Sequence, residues 1–145
     1  MTDSRFVYVT YIQAAPEKVW AALTTPEFLK AYFFGASFDS AWHLGAAWSM
    51  TMADGRLADS GEILEFEAPR RLVLSWRNEF MPEAKAEGYG RMVAEIEPAG
   101  DGAAKLTITH GMDVPNSKLI AAVSGGWPKI LSNLKSLLEN GKVVL

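Results

Sequence analysis

Apolar residues in the first part of the chain change from strand-like to helix-like spacing. Residues 5–14 are rich in Val, Tyr, Thr and Ile, which predicts a strand. Pro16 and Glu17 open a predicted helix, because proline fits the first helical turn and a carboxylate complements the helix dipole there. A second short helix is predicted from Thr25 and ends at Gly35. One strand followed by two short helices is the expected start of the fold.

After residue 36 the hydrophobic period changes to two, which is typical of strands with one buried face. The alternation predicts strands over residues 47–52, 57–66, 72–77, 90–97 and 104–110. Turn residues separate them, among them the hairpin signal Asp54-Gly55. With the first strand, the pattern predicts an antiparallel meander. Residues 80–88 contain Pro82 and several charges, so we expect a mobile loop there.

The end of the chain has apolar residues at every third or fourth position, which predicts a long amphipathic helix over about residues 117–140. The apolar positions are Leu119, Val123, Trp127, Ile130, Leu131, Leu134 and Leu138. Pro128 removes a backbone donor, and Gly125 and Gly126 weaken the helix. We therefore expect a kink there, or a helix whose regular part begins near Gly126.

The length of this helix limits the architecture. It would be roughly 36 Å long, whereas a compact domain of this size has a radius of gyration near ~15 Å, so the helix must cross the whole domain. A meander of six to seven strands is equally wide and has one apolar face that needs cover. The expected fold is α+β: a curved antiparallel sheet of six to seven strands wrapped around the long C-terminal helix, with two short helices after strand one. This arrangement is a helix grip.

The composition fits one packed domain. The chain has 145 residues, of which 49% are hydrophobic and 21% charged, and we expect a single domain over residues 1–145. The net charge is -3 and the basic residues are scattered, so neither nucleic acid nor a membrane is an expected partner. There is no secretory signal and no apolar run of about 18 residues, which makes the cytoplasm the expected compartment.

Residues suited to catalysis or cofactor binding are scarce. The chain has no cysteine, and its histidines are His43 and His110, so neither a thiol nucleophile nor a multi-histidine metal site is expected. No nucleophile-elbow, dinucleotide-binding or phosphate-loop motif is present. We therefore expect no cofactor, no metal and no catalytic residue, which argues against an enzyme without excluding one.

The chain is rich in aromatic and thioether side chains, with five Trp, seven Phe and six Met. Trp20 and Phe28 lie on predicted helices and are interpreted as packing. A second set comes from strands and the long helix, which should converge on one interior face: Trp48, Met50, Trp76, Met92 and Trp127. The pattern leaves two interpretations open, a filled core or the wall of a cavity for apolar ligands. His110 is either a hydrogen-bonded core histidine or a polar anchor for such a ligand.

Several segments taken together resemble a known superfamily. They are APEKVWAALT at 15–24, GEILE at 61–65, PRRL at 69–72 and GW at 126–127. In this order and spacing they resemble the SRPBCC, or START-like, superfamily of the Bet v I type, and within it the branch of activator of heat-shock protein 90 ATPase homologues. The resemblance implies the helix-grip fold and a hydrophobic cavity between the sheet and the long helix. Carried over by position, the cavity wall would include Trp48, Met50, Trp76, Met92, His110, Trp127 and Leu131.

The aromatic set and the resemblance favour a small-molecule binding protein whose partner is an apolar or aromatic ligand. A co-chaperone-like regulator of a heat-shock ATPase is the first alternative, because the family is named for that activity. A cyclase-type or hydrolase-type enzyme that uses the same cavity is the second, because the superfamily contains such relatives. We also allow for a homodimer.

Overall fold

A seven-stranded antiparallel sheet is the frame of the protein in a computed structural model that describes residues 4–145. The strands are β1 (Ser4–Ile12), β2 (Ser37–Ser40), β3 (Ala47–Thr51), β4 (Leu57–Glu67), β5 (Arg71–Asn78), β6 (Gly90–Pro98) and β7 (Ala104–Met112). The helices are α1 (Pro16–Thr24), α2 (Pro26–Tyr32), α3 (Pro82–Lys85) and α4 (Lys118–Asn140). The strand order across the sheet is β1-β7-β6-β5-β4-β3-β2.

The two short helices explain this order. They carry the chain from β1 at one edge of the sheet to β2 at the other, and the remaining strands then return to β1 as a meander. The sheet curves around α4, so the predicted α+β helix grip is confirmed, with seven strands. The core lies between the sheet and α4 and includes Leu106 and Ile108 of β7 and Leu134 of α4, all fully buried.

The segment predicted as a mobile loop, residues 80–88, is instead partly helical. Asn78 stabilises its start, because the side-chain Oδ1 accepts hydrogen bonds from the backbone amides of Phe80 (3.2 Å) and Met81 (2.7 Å). Ala84 of α3 is fully buried. At the end of the segment, the Glu87 carboxylate accepts a hydrogen bond from the Ser117 hydroxyl at 2.6 Å. The contact between Glu87 and Ser117 spans 30 residues, so local composition could not predict it.

The long helix is regular from its first turn, whereas one of the two expectations placed its regular start near Gly126. It is continuous from Lys118 through Pro128, so the expectation that its regular part begins near Gly126 was wrong. The Ser117 hydroxyl caps the first turn by accepting a hydrogen bond from the Ile120 amide at 3.1 Å. Leu119 is also buried, so capping and burial together offset the low helix propensity further along. No helix within residues 4–145 is both long enough and apolar enough to cross a membrane.

A glycine in the middle of β4 allows an indole ring to cross the sheet. Trp48 of β3 donates a hydrogen bond from Nε1 to the backbone carbonyl of Ser75 on β5 at 2.9 Å, passing over the intervening strand. The strand register pairs Trp48 with Gly61. A Cβ atom at Gly61 would lie 1.9 Å from the Ser75 oxygen and 2.8 Å from Trp48 Nε1. The position therefore requires glycine because any side chain would occupy the path of this bond.

We expect Gly61→Ala to destabilise the protein by about 3 kcal/mol or more, because the added methyl must displace backbone as well as the Trp48 ring. Denaturant unfolding followed by circular dichroism measures this change. Gly125→Ala is the matched control, since nothing lies within 4 Å of a Cβ placed there. It lies in α4 and should raise stability by up to about 1 kcal/mol. Equal unfolding midpoints for Gly61→Ala and the wild type would show that this position does not require glycine.

Candidate functional site

Five aromatic rings meet between the sheet and α4 in a closed circuit of contacts, which we call the aromatic cluster. Its members are Phe33, Phe38, Trp48, Trp76 and Trp127. The ring centroids of Phe33 and Phe38 are 4.9 Å apart, and those of Trp48 and Trp76 are 4.6 Å apart. Phe38 lies 6.2 Å from Trp48, and Trp127 closes the circuit at 6.0 Å from Trp76 and 5.8 Å from Phe33. Such offset and edge-on pairs stabilise aromatic groups beyond simple burial.

His110 packs against this cluster and is completely buried. Its ring centroid lies 4.9 Å from that of Trp76, and its Nδ1 accepts a hydrogen bond from Trp127 Nε1 at 3.1 Å. An acceptor at Nδ1 places the proton of the neutral ring on Nε2, which has no hydrogen-bond partner among residues 4–145. Burial lowers the pKa of His110 to about 3, so the imidazole is neutral at physiological pH.

A cavity of about 590 Å³ lies beside the aromatic cluster, between β3, β4 and β5 on one side and the first half of α4 on the other. Its wall is formed by Phe33, Phe34, Ala36, Met50, Met52, Ala53, Asp54, Ala58, Asp59, Trp76, Asn78, Phe80, Met81, Leu119, Ala122, Val123, Gly126, Trp127 and Ile130. Exposed Phe34 and Phe80 lie at its opening. The volume is that of a typical small-molecule pocket.

The seven residues proposed from the sequence are all buried, but they divide into two groups. Met50, Trp76 and Trp127 line the cavity. The others lie outside its lining, and they are Trp48, Met92, His110 and Leu131. Trp48 and His110 contact Trp76, so they support the wall from behind.

Sequence reasoning missed Asp59, a buried carboxylate in the cavity wall. The register places it in one row with Met50 on β3 and Asn78 on β5, and all three residues line the cavity. Its Oδ1 accepts hydrogen bonds from Trp76 Nε1 at 3.1 Å and from Asn78 Nδ2 at 3.2 Å. A signal was available, because the period of two puts Asp59 on the same face as Ile63, which is buried.

The surroundings of Asp59 disfavour its charge. Desolvation by burial is the main cause that raises its pKa to about 6, and the Glu79 carboxylate adds to the effect. Hydrogen bonds from Trp76 and Asn78 act in the opposite direction. Glu79 itself stays ionised, because its hydrogen bonds to Arg77 help to lower its pKa to about 2. Asp59 is therefore the cavity carboxylate whose ionisation opposes folding.

The other polar groups of the wall are already engaged. Asp54 is paired with Arg56 at 2.9 Å, and the Asn78 side chain bonds both Asp59 and the start of α3. The indole donors of Trp76 and Trp127 are bonded as well. Within residues 4–145, no cluster of three or more potential metal ligands is found.

One family model matches most of the chain. The sequence profile of activator of Hsp90 ATPase homolog 1-like proteins matches residues 13–139, which confirms the resemblance found in the sequence. A comparison with curated proteins found no match.

Solved structures share the fold at low sequence identity. Protein MLL2253 from Mesorhizobium loti has a TM-score of 0.82 at 20% identity, over 97% of this chain and 100% of that chain. The Aha1 dimer from Colwellia psychrerythraea has a TM-score of 0.77 at 19% identity, over 96% and 98%. An HSP90 activator from Plasmodium falciparum has a TM-score of 0.76 at 20% identity, over 92% and 95%.

We expect Asp59→Asn to stabilise the protein by roughly 2 kcal/mol near pH ~8, because it removes a buried charge and keeps an acceptor for Trp76 and Asn78. The raised pKa of Asp59 fixes the sign: its ionisation disfavours the folded state increasingly from the ordinary aspartate pKa of about 3.9 up to about pH 6, and the full penalty holds above that pH. The gain should therefore vanish only near pH ~3.5. Urea unfolding of both proteins at the two pH values measures it. A gain that is independent of pH would refute this account.

Proposed function

The chain belongs to the family of activator of Hsp90 ATPase homolog 1-like proteins, and we propose that its function is to bind an apolar small molecule in the cavity between the sheet and α4. The observation that carries this proposal is the cavity itself, about 590 Å³ with a wall in which only Asp54, Asp59 and Asn78 have side chains other than apolar or aromatic ones. A wall of this kind binds by removing apolar surface from water.

The apolar surface that a ligand buries sets the expected affinity. A ligand that hides ~400 Å² of apolar surface gains about 10 kcal/mol, and association costs at least ~4 kcal/mol. The difference corresponds to a dissociation constant of the order of tens of micromolar. We assign direct ligand contact to Met50, Trp76 and Trp127. The support behind the wall is assigned to Trp48, Met92, His110 and Leu131.

A second candidate function is regulation of a heat-shock ATPase. The family description and the shared fold of the Plasmodium falciparum HSP90 activator favour it. If it is correct, stoichiometric addition of the protein should raise the ATP turnover of a purified Hsp90-type ATPase several-fold. A coupled assay with bovine serum albumin as the control protein measures the rate, and an unchanged rate would remove this candidate.

We also propose that the protein forms a homodimer, because one solved structure with the same fold is a dimer. The structure with a TM-score of 0.77 from Colwellia psychrerythraea is an Aha1 dimer. Light scattering of the purified protein, alone and with the fluorophore N-phenylnaphthylamine, measures the mass in solution.

We expect Ala122→Trp to weaken binding of the neutral fluorophore N-phenylnaphthylamine at least ~10-fold, because the new ring occupies space that the ligand needs. Ala121→Trp is the matched control: both alanines are exposed on α4, but only Ala122 lines the cavity. Titrations followed by probe emission give the two affinities. If the probe fails to bind the wild type, or binds both variants equally, the cavity is not the binding site.

A further inference from the structure

We propose that the cavity selects ligands that carry a protonated amine, with the Asp59 carboxylate as the counter-ion. This inference rests on the proposed function, because it names the class of ligand that the same cavity takes. The apolar wall accounts for affinity toward the body of the ligand, and the carboxylate accounts for the choice of its polar group.

The first observation is the one-sided use of the Asp59 carboxylate. Both of its hydrogen bonds, from Trp76 Nε1 and Asn78 Nδ2, go to the same oxygen, Oδ1. The second oxygen, Oδ2, accepts no hydrogen bond from the part of the chain that the structure describes. The fully enclosed polar side-chain atoms without a partner are Trp42 Nε1 and His110 Nε2, so Oδ2 remains accessible. Since Asp59 lines the cavity, Oδ2 is an acceptor open to a ligand.

The orientation of this acceptor is held in place by its neighbours. The Asn78 Oδ1 accepts hydrogen bonds from two backbone amides at the start of the α3 segment, at 3.2 and 2.7 Å. Its amide nitrogen must therefore be the group that faces Asp59. Because Trp76 holds the same carboxylate oxygen from another direction, the carboxyl group cannot turn without breaking two hydrogen bonds. Such preorganisation lowers the entropic cost of binding at Oδ2.

The second observation is that no protein cation neutralises this carboxylate. Among residues 4–145, the side chains that line the cavity include no Lys, Arg or His. Arg56, at the opening, is paired with Asp54 and lies over the Phe80 ring at 5.3 Å. On the other side, Arg77 and Lys85 are paired with Glu79 at 2.8 and 3.4 Å. The complementary charge for Asp59 is therefore left to the ligand.

The aromatic wall also favours a ligand with an ammonium group. Trp76 directs its N–H edge to Asp59 Oδ1, and the rings of Phe33, Phe80 and Trp127 line the same cavity. Aromatic faces attract cations through their quadrupole, most strongly when both groups are shielded from water. Burial also raises the pKa of Asp59 to about 6, and an ammonium group would relieve that unfavourable environment. A carboxylate ligand would meet repulsion at the same place.

The test compares three probes that share one apolar body and differ in the head group: phenylbutylamine, phenylbutanol and phenylbutyrate. Calorimetric titration into the wild type near pH ~7.5 should give an amine affinity at least ~10-fold above that of the alcohol, with the carboxylate weakest. In Asp59→Asn the Oδ1 acceptor is retained and Oδ2 becomes an amide nitrogen. The amine preference should then fall below about 2-fold, and the carboxylate probe should gain affinity.

The control variant is Asp39→Asn, which makes the same change of net charge. Asp39 is exposed on β2 and does not line the cavity, so the variant should keep the amine preference of the wild type. Equal affinities of all three probes for the wild type, or an amine preference that survives in Asp59→Asn, would overturn the inference and leave cavity binding intact. If none of the probes binds the wild type while it remains folded, the proposed function itself fails.

Discussion

The hydrogen bond from Trp127 to His110 joins the long helix to the sheet, and much of the structure depends on it. The same indole contacts Trp76 on β5 and Phe33 after α2, so one side chain connects α4 with both the middle strands and the helical end of the grip. Because the bond is buried, losing either partner would leave a polar atom without water or protein to satisfy it. The bond also determines which tautomer of His110 is present, while burial keeps that ring neutral. This contact therefore ties the helix to the sheet beside the aromatic cluster and supports one wall of the cavity.

The cavity exists because small residues of both the sheet and α4 line it at this end of the grip. Ala122 and Gly126 of α4 and Ala58 of β4 line the cavity from its two sides, and these small side chains leave space that the aromatic rings border without filling. The polar groups nearby affect stability in opposite directions as the pH falls. Burial lowers the pKa of His110, so its protonation destabilises the fold in acid, whereas the raised pKa of Asp59 means that its protonation stabilises the fold. Between about pH 4 and 6 the two contributions partly cancel.

Hydrophobic periodicity was sufficient to predict the architecture, because both the period of two and the helical spacing of the last segment report which face is buried. The tryptophans of the aromatic cluster, Trp48, Trp76 and Trp127, were predicted for the same reason, whereas Phe33 and Phe38 were not predicted as site residues. The α3 segment was mispredicted because composition does not show that Asn78 holds the local turn before α3, or that Glu87 bonds the start of α4 30 residues away. Asp59 was missed because the period of two marks its face as buried but does not show that a carboxylate is accommodated there, which depends on the hydrogen-bond donors Trp76 and Asn78. Whether Trp76 and Trp127 enclose a cavity depends on side-chain volumes summed over several elements. The sequence pattern therefore could not decide between a filled core and a cavity wall.

The wall of the cavity comes from three stretches of chain, residues 33–59, 76–81 and 119–130. Of the described strands, β1, β6 and β7 contribute nothing to it, although they pair with one another over long ladders. Substitutions that change the ligand can therefore accumulate in one half of the molecule while the other half continues to specify the fold. The fold itself tolerates wide sequence divergence, since a solved structure 20% identical to this chain has a TM-score of 0.82. A differently shaped cavity therefore needs no new scaffold, only substitutions in these three stretches.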